Sequence, residues 1–182
     1  MTSELRVDRI IPTTGIPTGG GGGIIQVRQT VVTSSSTGTG STPASVMTCS
    51  ITPREITNKI LVFVDTNVGS SNNYQTSAFL YRGTGGSGTK LYFGDADGNR
   101  PQVTRTVTTY DDSSYSYSQI PLQIIYLDSP STTSQVTYDL RLASYQTEQW
   151  SFNRSVANQE DNTSAEFDGK CASSMTLMEV TA

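Results

Sequence analysis

The chain has 182 residues, enough for one domain that buries about two thirds of its unfolded surface without metal or disulfide staples. Ser (24), Thr (27) and Gly (16) make 67 of those residues, and charged residues are only 15%, against roughly 25% in ordinary soluble domains. This composition is poor in helix formers and excludes a helical bundle, while the absence of His excludes His-based triads, His-ligated zinc and a His general base.

Residues 1–18 read as a separate element. Leu5, Val7, Ile10, Ile11 and Ile16 are apolar, interrupted by Arg6, Asp8 and Arg9, with Pro12 and Pro17 favouring extended backbone. The segment is too short for a core of its own, so its apolar residues need a partner surface; a frayed terminus is the alternative. It lacks the apolar core of a signal peptide, which predicts synthesis in the cytoplasm and reduced Cys49 and Cys171; a disulfide between the two, each near a predicted strand, is the open alternative. Gly19 to Gly23 is a run of five glycines, a joint with maximal backbone freedom.

From Ile24 the chain alternates strand and turn signals. Strands are predicted over 24–32, 46–51, 59–65, 77–82, 89–93, 120–128, 135–143, 150–152 and 175–181, with Gln102 to Thr109 as a polar strand or ordered loop. Ser34 to Ser41 reads as loop and Gly69 to Asn73 as turn. The segment 59–65 is apolar on both faces and therefore central. In 135–143, Val136, Tyr138, Leu140 and Leu142 fall on one face, which predicts that Thr137, Asp139 and Arg141 are wet. The expected fold is all-β, an antiparallel sandwich or jelly roll, as residues 24–182. Strands apolar on both faces exceed what one small sandwich hides, which predicts a closed homo-oligomer.

Several motifs are weighed against ordinary structure. Gly83-Thr-Gly-Gly-Ser-Gly88 matches a dinucleotide-loop pattern, but strand-like residues follow it, so a hairpin connection is expected. Asp95-Ala-Asp97-Gly98-Asn99 has calcium-loop character but the wrong Gly and Glu positions; it reads as an Asx turn, with Asp95 and Asp97 the only metal candidates. Asp111 and Asp112 lie among Tyr110, Tyr115 and Tyr117. Adjacent residues on a strand point apart, which is poor geometry for the paired carboxylates of a glycosidase. A Tyr/Ser-rich loop suits adaptable contact instead, and Tyr110, Tyr115, Tyr117 and Trp150 are the candidate glycan contacts. The net charge of −4, with scattered basic residues, argues against nucleic acid. The longest apolar stretch, 120–127, is far short of the ~20 residues of a spanning helix. No cofactor is expected.

The chain resembles small fibre-type virion proteins of tailed bacteriophages of the marine and cyanobacterial kind. Leu5-Arg-Val-Asp-Arg-Ile-Ile-Pro-Thr-Thr-Gly15 is similar to their N-terminal attachment peptide. In the body, Ser50-Ile-Thr-Pro53, Asn58-Lys-Ile-Leu-Val62, Gly94-Asp-Ala-Asp-Gly-Asn-Arg100, Leu127-Asp-Ser-Pro-Ser-Thr-Thr-Ser134, Thr137-Tyr138, Phe152-Asn-Arg-Ser155 and Ser174-Met-Thr-Leu-Met-Glu-Val180 complete the ordered likeness. The resemblance implies a homotrimer of jelly-roll heads of the tumour-necrosis-factor and complement-globular type. It further implies a virion location, other virion proteins as partners and no enzymatic activity. A shaft is almost lacking, which favours a short fibre, a tail-associated knob or a capsid decoration over a long host-reaching fibre. A carboxylate-based polysaccharide depolymerase is the alternative from another class.

Overall fold

The computed structural model describes residues 23–71, 74–108, 118–157 and 169–181. Two antiparallel sheets pack against each other, as the alternating pattern predicts. The first contains β1 (Ile24–Val32), β2 (Ser36–Thr39), β4 (Lys59–Ser70), β8 (Ile120–Asp128), β10 (Gln149–Phe152) and β11 (Ser173–Val180). The second contains β3 (Ala44–Ile51), β5 (Gln75–Arg82), β6 (Thr89–Leu91), β7 (Arg105–Thr108) and β9 (Val136–Ala143). β4 is central: β8 pairs along one side, and β11 followed by β10 along the other. Among the described residues no helix is long and apolar enough to cross a membrane.

The core lies between the sheets. Ile60, Val62, Val64, Leu122, Ile124, Met175 and Leu177 face Met47, Ile51, Leu80, Leu140 and Leu142. Burying each such side chain contributes about 1.5–3 kcal/mol before entropy is counted. Polar groups close the sandwich at each end. At one end the Tyr138 hydroxyl donates to Asp128 Oδ2 at 2.7 Å, and Arg82 pairs with the same carboxylate at 2.8 Å. Burial, and then the Asp128 hydrogen bond, push the Tyr138 hydroxyl far above its ordinary pKa, so it remains a donor. At the other end Asn153, in left-handed backbone, donates to the carbonyls of Val32 and Ser34 at 2.9 and 3.0 Å. Its Oδ1 accepts from Ser173, which also bonds Thr66.

The hairpin expected at Gly83–Gly88 is present, with a short 3₁₀ turn at Gly85–Ser87 joining β5 to β6. Gly83 has φ +98° and its N–H reaches the Thr137 carbonyl at 2.7 Å, a conformation that favours glycine. Asp97 to Arg100 forms a turn closed by Arg100 N donating to Asp97 O at 3.1 Å, with the two side chains paired at 3.4 Å.

Three expectations are corrected. The loop predicted at Ser34–Ser41 contains β2, which adds to β10 as an edge strand. Gly38 makes this fit: a Cβ there would lie 2.3 Å from Trp150 Cζ2. The turn predicted from Gly69 starts later, because β4 continues to Ser70 to pair with β10. Asp139 and Arg141 are buried rather than wet. They pair with each other at 2.7 Å, and the Gly83–Gly88 hairpin covers them. Cys49 and Cys171 are both free thiols. Cys49 is buried on β3, and Cys171 Sγ lies 3.0 Å from Gln119 Oε1.

Candidate functional site

The strand registers give the sandwich two poles. β1 starts at the pole where Ile24 lies opposite Val180, and β4 starts beside it at Lys59. Gly23 is fastened there by its N–H to Thr181 Oγ1 at 3.0 Å and by Thr181 N–H to its carbonyl at 3.2 Å. Residues 1–22 therefore join the sandwich at this pole. The loop between β3 and β4 lies at the same pole and is held by Glu179. This buried carboxylate accepts from Arg54 N at 2.7 Å, Asn58 Nδ2 at 2.6 Å and Gln26 Nε2 at 2.5 Å. Burial alone would raise its pKa. Hydrogen bonds from Asn58, Gln26 and the backbone of Arg54 and Glu55 outweigh that and hold it below the usual carboxylate range.

β4 runs twelve residues to the opposite pole, about 35–40 Å away. There the β4–β5 turn and the β9–β10 turn bring Tyr74 and Tyr145 together. Their rings stack with centroids 5.3 Å apart and planes 8° from parallel. They are 40% and 53% exposed, so each ring keeps surface outside the stack. The described residues of both turns are tied by hydrogen bonds. Ser70 Oγ donates to the Tyr74 carbonyl, Glu148 N to the Tyr145 carbonyl at 2.8 Å, and Ser71 Oγ to Glu148 Oε2 at 2.9 Å. Gln146 adopts left-handed backbone in the second turn. Such pairs on anchored turns offer rigid, amphipathic contact area at low entropic cost.

The ends of the Tyr-rich segment lie at this pole as well. Thr108 pairs with Gln75, next to Tyr74, and the Ser118 carbonyl is 3.2 Å from where a Cβ on Gly69 would stand. Tyr110, Tyr115 and Tyr117 themselves lie outside the described residues, as do Asp111 and Asp112. So do the candidate anchoring residues Leu5, Val7, Ile10, Ile11 and Ile16. Trp150 is not a surface platform. It is 3% exposed, belongs to the core and has Gly38 against its ring.

A second aromatic group lies on a flank of the sandwich. Tyr92 stacks on Tyr126 at 5.3 Å and carries the Arg105 guanidinium 4.9 Å from its centroid. Its faces are therefore occupied from within the chain, which leaves Tyr74 and Tyr145 as the better contact surface. Sequence reasoning passed over both. Each is a lone tyrosine beside a turn, and only the fold joins them. Among the described residues no three His, Cys, Asp or Glu side chains cluster as a metal site, and Asp97 is engaged by Arg100. In comparisons with known proteins, no family model matches the chain and no curated protein is similar to it.

Proposed function

We propose that the chain is a structural protein of a bacteriophage virion, a short trimeric fibre or tail-associated knob without catalytic activity. Residues 1–18 dock it on another virion protein, Gly19–Gly23 give orientational freedom, and residues 24–182 form the head. Made in the host cytoplasm, it ends in the particle. One observation carries this reading: the chain enters the sandwich at one pole, while the stacked tyrosines stand at the other. A head held by its N-terminal peptide points that aromatic pole away from its anchor. Stacked tyrosines present faces on which the apolar side of a sugar ring packs. The jelly-roll form of the sandwich and its trimeric state belong to this proposal.

The test compares particle incorporation of the full chain, a chain lacking residues 1–18, and a Tyr74→Ala/Tyr145→Ala variant. The deletion is expected to leave a folded head that no longer joins particles. Its incorporation at full occupancy would sink the anchoring role. The tyrosine variant is expected to incorporate normally and to lower adsorption to host cells. Unchanged adsorption would favour the other placement, a capsid decoration or head fibre that stabilises the shell.

A further inference from the structure

The outer face of the β1-β11-β4-β8 sheet is where the sandwich fails to hide its apolar residues. The registers set two complete rows across four strands. One row is Val27, Met178, Leu61 and Leu127; the next is Gln29, Thr176, Phe63 and Ile125. Val27, Ile125 and Leu127 are 53%, 52% and 46% exposed, while Met178, Leu61 and Phe63 are half-buried. Gln29 and Thr176, the polar members, bond each other at 2.8 Å and so present little unsatisfied polarity. Charge is confined to the margins of the two rows. Lys59 lies at one end and Asp65 at the other, where it is engaged by Gln123 at 3.2 Å.

From this geometry we infer that the outer face of this sheet is the surface on which a second copy of the chain packs. The inference rests on the virion reading for its occupant, and it names the face through which the head assembles. Three features favour a like copy. The two central rows carry no charge, so they repel no identical rows and offer no charge for selecting a partner of opposite sign. Four strands about 4.8 Å apart and some eight residues long make a plane on the order of 500 Å². Side-chain relief carries that area toward the ~800 Å² each partner of a standard interface buries. Finally, an assembly whose symmetry axis follows the strands sets every Gly23 at one pole and every Tyr74–Tyr145 pair at the other. That is the arrangement a shared docking point requires.

The test is the mass of the full chain in solution, by light scattering or sedimentation at about 10 µM, where a micromolar contact is populated. The wild type is expected at a whole multiple of the 19.6 kDa of one chain: two where the face packs on its own copy, three where it packs on another surface of the neighbour around a three-fold axis. Val27→Glu with Ile125→Glu places charges on opposite edges of the face, at positions already exposed in the single chain. It is expected to weaken assembly by at least ~100-fold while circular dichroism and melting stay those of a folded sandwich. Ile56→Glu, an exposed apolar residue between β3 and β4, is the control and should leave the mass unchanged. A monomeric wild type would overturn the inference. So would a double variant that keeps its mass, or an assembly lost only when residues 1–18 are removed, which would assign it to the peptide. Particle incorporation tests the virion reading separately: a chain that assembles through this face but stays out of particles sinks that reading alone.

Discussion

Glu179→Ala is expected to destabilise the fold by about 4 kcal/mol, roughly 10 °C in melting temperature for a domain of this size. The side chain is fully buried on the inner face of β11, beyond Met175 and Leu177. Its two oxygens accept from Arg54 N, Asn58 Nδ2 and Gln26 Nε2, so one truncation leaves three donors short of a partner. Gln26 alone keeps a second acceptor, the Thr52 carbonyl at 2.7 Å. The three donors belong to β1 and to the β3–β4 loop, so the damage falls on the pole where residues 1–22 join the head. Glu179→Gln keeps the shape but turns an amide donor toward donors, and about 2 kcal/mol is expected.

The same pair of variants has a pH signature. The folded carboxylate sits below the ordinary glutamate range, so it releases its proton more readily in the folded state than in the unfolded one. Its stabilisation is therefore complete above the unfolded value of about 4.3 and is lost as pH falls through the lowered folded value. The gap in stability between wild type and Glu179→Gln should narrow as pH drops below that range. Denaturant titrations from pH 7 to pH 3 check this. A gap that stays constant across the range would show that the charge contributes nothing.

Asp139→Ala is the second large effect, at about 3 kcal/mol. Asp139 lies on the outer side of β9 and accepts from Arg141 Nε at 2.7 Å and Ser45 Oγ at 2.6 Å. Arg141 also donates to the Gly85 carbonyl at 2.7 Å and lies 4.1 Å from the Tyr81 ring centroid. Truncating the aspartate leaves that guanidinium buried without its counter-charge, and the hairpin above it cannot open to water without losing its own bonds. Removing both charges tells the two costs apart. Asp139→Ala with Arg141→Met should recover to within about 1 kcal/mol of wild type, because no unpaired charge remains. A double variant as unstable as the single one would assign the loss to packing.

The distinction between readable and unreadable features follows sequence distance. β1, β8 and the core face of β9 were legible because alternation and flanking turn residues are local properties. So was the central place of β4, read from its apolar run, although its outer residues Leu61 and Phe63 stay half-buried in the single chain. The outer face of β9 was not legible. Asp139 and Arg141 alternate like solvent-facing residues, and only Ser45, Tyr81 and Gly85 from other strands and turns reveal that they are covered. Trp150 misled for the same reason: among Gln149 and Ser151 it looks like a surface aromatic, while the glycine that makes room for it is on β2. β2 itself is Ser-Thr-Gly-Thr, a loop composition that becomes strand because β10 offers it an edge. The Tyr74–Tyr145 stack was invisible because its halves come from two separate turns. The proposed anchoring peptide is the reverse case: its reading rests on isolated apolar residues and the glycine run after them, and it lies outside the described residues.

The central claim is that one pole of this sandwich is tethered and the other faces outward. A cryo-electron microscopy map of the intact particle tests it most directly. The proposal predicts density for this chain on the virion, residues 1–18 in contact with another virion protein, and Tyr74 and Tyr145 on the side farthest from that contact. Absence of the chain from purified particles, or heads seated with the tyrosine pole against the virion, would contradict it.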